Sequence, residues 1–220
     1  MCIRDSFIVI AVVVIVGLLV FARHLDQGDW LIRLALGLQL GGATGNLIDR
    51  LHQASGLRLV ALFAPEHGIR GTVADGDLIS SGRDARTGLP IHSLYGETRK
   101  PTPAMLEGID ALLFDIQDVG ARQYTYIWTM YYAMEAAAER RIPFVVLDRP
   151  NPIGGEIVEG NILAPAFSTF VGLKPVPIRY GLTIGELARF CNAEFKVGAE
   201  LTVVPVAGWS PFASNHCGGA

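Results

Sequence analysis

The sequence predicts an α/β domain with a parallel sheet and flanking helices, preceded by two apolar helices of the membrane type. After residue 51, short apolar runs that fit buried strands alternate with segments of helical periodicity. Clusters of Gly and Pro separate these segments, as they do where tight turns join strands to helices. Hydrophobic residues make up 50% of the whole chain, and they are concentrated in two longer apolar stretches before residue 51.

The first apolar stretch covers residues 7–22, FIVIAVVVIVGLLVFA, and contains no polar side chain. It is slightly shorter than the roughly 20 residues that span a bilayer. A signal peptide is the alternative, but Phe21, Ala22 and Arg23 form a poor cleavage site. A second stretch follows at residues 30–48, with small residues that let membrane helices pack closely. Residues 7–48 therefore predict contact with a membrane.

The predicted sheet contains three buried parallel strands, at residues 57–63, 110–114 and 143–148. Between the last two, apolar side chains recur at helical spacing and predict a crossover helix that ends near Arg140 and Arg141. The residues at this spacing are Ile127, Met130, Tyr131, Met134 and Ala138.

Two further helices are predicted from their first residues. Thr102 and Pro103 fit the N-cap and the first position of a helix that leads into the strand at Asp110. Thr183 and Glu186 have the spacing of a capping box, so we expect Glu186 to bond backbone N–H groups rather than a substrate.

Charge and residue spacing exclude several functional classes. A formal net charge of -3 gives no basic surface for a nucleic-acid backbone, so no nucleic-acid partner is expected. The three cysteines, Cys2, Cys191 and Cys217, lack the spacing of a zinc site or a disulfide framework. His67 has no second histidine four residues later, and glycine patterns for nucleotides are missing. We therefore expect neither a metal nor a cofactor.

Polar residues follow each predicted strand, in the segments PEHGIRG, DIQDVGAR and DRPNP. Ligands of open parallel sheets gather at the carboxyl ends of the strands, so three tips on one sheet edge would converge on a single cleft. Glu66 is the strongest candidate because Pro65, Gly68 and Gly71 hold it in a tight turn.

The other polar residues have structural interpretations of similar weight. Asp148 fits the anchor of a turn. Asp115 fits an ion pair with Arg122 or Arg149. The rings of Tyr124 and Tyr126 suit either a platform for a sugar or packing at the start of the helix.

The segment GLQLGGATGNLIDRL resembles the membrane motif of lipoprotein signal peptidase, an aspartic peptidase of the inner membrane. In that family the two catalytic aspartates lie beyond this motif, in stretches that have no counterpart here. Asp49 therefore inherits no catalytic role, since aspartic chemistry needs a second carboxylate. Residues 1–6, MCIRDS, fit neither part of the chain and are interpreted as an assembly artefact.

A second resemblance covers about residues 51–209. The segments APEHGIRG, TGLPIHSLYGETRKPT, DALLFDIQDVGARQYTYIWTM, VVLDRPNPIGG and GLTIGELARFCNAE resemble the exo-β-N-acetylmuramidase family. The resemblance implies a Rossmann-like N-terminal domain whose cleft faces a second, C-terminal domain. It also implies removal of terminal β-linked N-acetylmuramic acid from peptidoglycan fragments, in the periplasm or outside the cell.

The resemblance assigns roles to residues at the strand tips. Glu66 becomes the catalytic acid, with a pKa raised by partial burial. Asp115 is the second carboxylate and Asp118 the alternative; assistance by the substrate's acetamido group would need only one acid, so the stereochemical course stays open. The guanidinium of Arg70, Arg122 or Arg149 would bind the lactyl carboxylate. The hydroxyl and amide partners of the sugar would be His67, Tyr124, Tyr126 and Asn151.

These resemblances divide the chain into an artefact at 1–6, a membrane-type fragment at 7–50, a hydrolase-type domain at 51–209 and an irregular tail at 210–220. The family's first strand and most of its C-terminal domain find no counterpart, so the sheet would expose backbone groups and the cleft would lose a wall. We therefore expect a truncated, partly folded and inactive chimera. The alternative is a membrane-anchored module that binds muropeptides without cleaving them.

Overall fold

The structure, a computed structural model, describes residues 58–69 and 76–209. The predictions for residues 1–57, including the two apolar helices, for Arg70 and for the irregular tail at 210–220 lie outside these residues. Within the described ranges, no helix combines the length and the apolar character that crossing a membrane requires.

The described residues form two three-stranded sheets. In the first, β1 pairs in parallel with β3, and β2 pairs with β3 in antiparallel fashion. In the second, β4, β5 and β6 are all parallel and lie in that order. The strands are β1 (Leu62–Ala64), β2 (Gly82–Arg83), β3 (Pro90–Ser93), β4 (Leu112–Phe114), β5 (Phe144–Leu147) and β6 (Leu201–Val204).

The predicted parallel sheet with flanking helices is confirmed, but its three strands do not share one sheet. Two of them form β4 and β5, with register pairs such as Phe114 with Val146. The first predicted strand forms β1 and pairs instead with β3, for example through Ala64 and Ser93. The prediction that the ends of all three strands lie on one sheet edge was therefore wrong. The reason is that β1 pairs with β3, and the local sequence gives no sign of this pairing.

Two α-helices cross between the strands of the second sheet. The first, α1 (Tyr126–Arg140), connects β4 to β5 and ends at Arg141, whose φ of 57° gives a left-handed C-cap. The second, α2 (Ile184–Glu194), connects β5 to β6 and begins with the predicted capping box. Both helices are therefore confirmed.

The helix predicted from Thr102 and Pro103 is only a single 3-10 turn, Ala104–Leu106. The backbone oxygen of Thr102 accepts a hydrogen bond from the Met105 N–H at 3.0 Å, as expected for a helix start. The chain leaves the helix immediately, because Glu107 is extended. A second 3-10 turn, Pro165–Phe167, lies between β5 and α2.

The core lies between α1, α2 and the second sheet. Trp128, Met130 and Met134 of α1 are fully buried, and they belong to one apolar cluster with Phe144 of β5 and Leu187 of α2. Burying a side chain of this size stabilises a fold by about 1.5–3 kcal/mol. This packing fixes the start of α1, where the candidate site lies.

Candidate active site

Glu66 lies in a tight turn directly after β1. The Gly68 N–H donates to the Pro65 oxygen at 3.0 Å, which closes the turn. His67 and Gly68 both have positive φ, 69° and 75°, and for a residue with a side chain this conformation is uncommon. The strained turn leaves the Glu66 side chain partly exposed at the end of the strand.

Within the described residues, the Glu66 carboxylate accepts hydrogen bonds from three separate segments. Its Oε1 accepts from the Gly76 N–H at 3.1 Å, and its Oε2 accepts from the Thr125 hydroxyl at 2.5 Å. The Tyr95 hydroxyl also donates to it. Thr125 is the N-cap of α1, so the helix that carries the core also holds the carboxylate.

These donors determine the protonation state of Glu66. Burial raises the pKa of its carboxyl, but the hydrogen bonds from Thr125, Tyr95 and Gly76, together with the nearby His67, lower it by more. The net pKa lies below the usual value. The expectation of a raised pKa was therefore wrong for the free site, because hydrogen bonding to the charged form outweighs partial burial.

The rings of His67, Tyr124 and Tyr126 contact one another beside Glu66. The rings of Tyr124 and Tyr126 meet edge to face at 4.9 Å, and His67 meets Tyr126 in the same way at 6.2 Å. The pKa of Tyr126 is raised to about 12 by burial, by its interaction with Tyr124 and by the negative charge of Glu66. Tyr126 is thus a neutral hydroxyl next to the carboxylate.

Asp115 follows β4 and forms the ion pair with Arg149 that the sequence offered as one alternative. The Nη2 and Nε atoms of Arg149 lie 2.6 Å and 2.8 Å from the same oxygen, Oδ1, of Asp115. The Asp115 side chain is only 9% exposed, whereas that of Arg149 is 35% exposed. Arg149 therefore combines a fixed carboxylate partner with access to solvent.

Asp118 is buried and organises a loop. Its Oδ2 accepts from the Gly120 N–H at 2.7 Å and from the Tyr180 hydroxyl. Its Oδ1 has no hydrogen-bond partner within the described residues. Burial raises the pKa of the Asp118 carboxyl above its usual value. These contacts favour a structural role.

Arg122 and Asn151 are also buried and bonded to backbone groups. The Nη1 atom of Arg122 donates to the oxygens of Asn161 at 2.7 Å and Val176 at 2.5 Å. Asn151 donates to the Leu182 oxygen at 2.8 Å. Both residues hold loops together, and this arrangement leaves them poorly placed to meet a substrate.

Asp148 connects β5 to the first turn of α2. Its Oδ1 accepts from the Gly185 N–H at 2.7 Å, and its Oδ2 accepts from the Thr183 hydroxyl at 2.9 Å. A carboxylate at a helix N-terminus is stabilised by the N–H groups and by the helix dipole. Asp148 therefore has the anchoring role that the sequence offered as one of its interpretations.

Of the predicted site residues, the structure brings together Glu66, His67, Tyr124 and Tyr126. Sequence reasoning missed the two hydroxyl donors, Tyr95 and Thr125. Both lie inside segments that carried the family resemblance, SLYGETRKPT and QYTYIWTM, and this was the available signal. Among residues 58–69 and 76–209, no group of three or more His, Cys, Asp or Glu side chains could hold a metal ion.

Several known proteins resemble this chain. A peptidoglycan beta-N-acetylmuramidase, NamZ, of Bacillus subtilis is 57% identical over 162 residues, which cover 74% of this chain but only 39% of that protein. The crystal structure of a DUF1343 family protein from Bacteroides fragilis superimposes with a TM-score of 0.70 and 50% identity, covering 78% of this chain and 44% of the other.

The resemblance to lipoprotein signal peptidase is also found. The enzyme of Streptomyces coelicolor is 43% identical over 79 residues, 34% of this chain and 38% of that protein.

The family match is longer than the resemblance read from the sequence. The family model for "Exo-beta-N-acetylmuramidase NamZ, N-terminal" matches residues 39–215, which extend beyond 51–209 at both ends. With this match and the 57% identity to the Bacillus subtilis protein, the chain belongs to the exo-beta-N-acetylmuramidase NamZ N-terminal family.

Proposed function

We propose that this chain contributes the catalytic carboxylate of a glycoside hydrolase that removes terminal β-linked N-acetylmuramic acid from peptidoglycan fragments. The setting of Glu66 carries the proposal: a partly exposed carboxylate, held by hydroxyl donors and flanked by the rings of Tyr124 and Tyr126. Sugars are recognised by such combinations of aromatic faces and hydroxyl groups. The name of the Bacillus subtilis relative supports this substrate class.

Glu66 is proposed as the group that transfers a proton to the glycosidic oxygen. In the free site its lowered pKa keeps it ionised at neutral pH. A bound sugar excludes water and replaces donors such as the Gly76 N–H, and both changes favour the protonated form. Glu66 takes up a proton from solvent as the sugar binds, and it then donates this proton to the leaving glycosidic oxygen.

Asp115 is proposed as the second carboxylate, with its charge balanced by Arg149. Arg149 is better placed than Arg122 to bind the lactyl carboxylate, because it is the more exposed of the two. His67 and the hydroxyls of Tyr124 and Tyr126 are proposed to bond the sugar. Because the proposed enzyme has to meet peptidoglycan fragments, its activity is proposed to take place in the periplasm or outside the cell.

The test uses the Bacillus subtilis relative as a scaffold, because this chain spans 39% of its length. Residues 58–209 replace the matching part of that protein, and release of N-acetylmuramic acid from a defined disaccharide is measured. We expect Glu66→Gln to reduce turnover at least 100-fold, on the order of the contribution of general acid catalysis. Glu107→Gln, at an exposed glutamate, is the matched control.

Unchanged turnover in Glu66→Gln would remove Glu66 from the reaction. Binding of the disaccharide without release in the parent chimera would instead favour a module that holds muropeptides without cleaving them.

The two family resemblances are proposed to reflect a membrane-type fragment, residues 7–50, joined to a hydrolase-type part, residues 51–209. Sequencing genomic DNA across the codons of residues 46–53 tests this organisation. One uninterrupted reading frame in a native genome would contradict an artificial junction and favour a membrane-anchored protein.

A further inference from the structure

Arg99 lies over two neighbouring aromatic rings next to the candidate site, and the proposed reaction does not use it. Its guanidinium carbon lies 3.7 Å from the centroid of the Tyr95 ring and 5.0 Å from that of the Phe170 ring. At these distances a cation is attracted to the electron-rich face of a ring. The Nη1 atom of Arg99 is buried and has no hydrogen-bond partner in the described part of the chain. The two rings are therefore contacts that hold the guanidinium where this atom makes no hydrogen bond.

This arrangement is anchored to α1. The Phe170 ring stacks on Tyr132 of α1, with centroids 6.2 Å apart and planes that differ by 5°. The neighbouring cation, Lys100, is engaged elsewhere, because its Nζ lies 2.7 Å from Glu139 and 3.5 Å from Glu135. Arg99 is thus directed to the Tyr95 ring, while Lys100 pairs with the helix.

The backbone of Tyr95 is fixed on both sides. Its N–H donates to the Ser93 hydroxyl at 3.1 Å, and its oxygen accepts from the Ile79 N–H at 2.9 Å. A Cβ atom at Gly96 would lie 2.7 Å from the Ile79 oxygen, so a larger residue does not fit in this turn. The Tyr95 ring therefore has a defined position, with its hydroxyl on Glu66 and its face under Arg99.

We propose that Arg99 is a positioning residue for Glu66 that acts through Tyr95, by holding the ring and strengthening its hydroxyl as a hydrogen-bond donor. A positive charge over a phenol draws electron density from the ring, so the O–H becomes a better donor to a carboxylate. Two other titratable groups, His67 and Tyr126, act on Glu66 from its own turn and from α1. The inference rests on the proposed function of Glu66 as the catalytic carboxylate.

The test measures the titration of Glu66 directly, by ¹³C NMR of the full chain labelled at glutamate side-chain carboxyls. The Glu66 resonance is assigned by its loss in Glu66→Gln. Removing the donor in Tyr95→Phe is expected to raise the titration midpoint by about 1 pH unit, the scale of one hydrogen bond to a charged group. Arg99→Met is expected to raise it by about 0.5 pH unit, and Arg99→Lys, which keeps the cation, by less.

The double variant Tyr95→Phe, Arg99→Met separates an indirect from a direct effect. If Arg99 acts through Tyr95, the double variant has the midpoint of Tyr95→Phe alone. An unchanged midpoint in Arg99→Met, or a full additional shift in the double variant, would overturn the proposal. The titration requires no turnover, so its failure is distinguishable from failure of the muramidase assay.

Discussion

Gly185, in the first turn of α2, gives the sharpest prediction about stability. Replacing glycine by alanine in a helix usually stabilises a protein by up to about 1 kcal/mol, because alanine loses less conformational entropy. Here a Cβ atom would lie 2.5 Å from Cγ1 of Val203 and 2.7 Å from Cγ of Asp148. Side chains do not approach each other so closely, so either β6 or Asp148 has to move.

The expected cost exceeds the gain. Overpacking of this kind destabilises by about 1–3 kcal/mol. A shift of Asp148 also weakens its hydrogen bonds to the Gly185 N–H, 2.7 Å, and to the Thr183 hydroxyl, 2.9 Å. Hydrogen bonds to a charged group contribute about 1.5–3 kcal/mol each. We therefore expect Gly185→Ala to lower the free energy of unfolding by about 2 kcal/mol or more, the net of these opposing terms.

Urea unfolding followed by tryptophan fluorescence measures this change, since Trp128 is fully buried. The matched control is Gly82→Ala in β2, where an added Cβ would meet nothing within 4 Å. The control is expected to stay within about 0.5 kcal/mol of the parent chain. If Gly185→Ala unfolded at the same or a higher urea concentration than the parent, the packing of Asp148 against α2 would be refuted.

Three further predictions address the other charged groups. Arg122→Met is expected to cost about 2–3 kcal/mol in urea unfolding, because methionine leaves the oxygens of Asn161 and Val176 without the Nη1 donor that they share. Because the pKa of Asp118 is raised in the folded state, its protonated carboxyl stabilises the fold below pH 3.8, and this stabilisation is lost as pH rises through the folded-state pKa. Asp118→Asn does not titrate, so its free energy of unfolding should rise relative to that of the parent over this pH range. A difference between the two proteins that stays constant with pH would contradict this. In the muramidase assay, kcat/KM reports the free enzyme and should fall as pH rises through the lowered pKa of Glu66. The value of kcat reports the complex with the sugar and should fall only at a higher pH. If both parameters fell at the same pH, proton uptake on sugar binding would be contradicted.

The parts of the fold that local sequence determines were predictable. The strands at β4 and β5 are short apolar runs, α1 follows a helical spacing, and α2 carries its own capping box. The sequence PIHS of β3 has no such signal, since it combines a proline with a polar residue. Its pairing with β1 is a contact between distant segments, and this contact decides that the described strands form two sheets.

The candidate site divides in the same way. The turn that presents Glu66 was predictable from its Pro and Gly residues. Its donor Thr125 lies 59 positions away, and no spacing rule connects the two. Residue type also gave no means to separate Arg122, which bonds backbone oxygens, from Arg149, which pairs with a carboxylate and remains partly exposed. Burial decides between these roles, and burial depends on the complete fold.

The donors of each carboxylate indicate which one transfers protons. The Oδ1 of Asp148 accepts from backbone N–H groups, which cannot become acceptors. A proton on Oδ1 would break these bonds, and the Thr183 hydroxyl that donates to Oδ2 also caps α2. A change of protonation at Asp148, whose pKa burial raises, would therefore disturb the start of the helix. Among the described residues, two of the three donors to Glu66 are hydroxyls, of Thr125 and Tyr95, and a hydroxyl can rotate to accept a hydrogen bond from a protonated carboxyl. The two hydroxyls can thus stay bonded to Glu66 in both protonation states, and an acid that alternates between donating and regaining a proton needs this property.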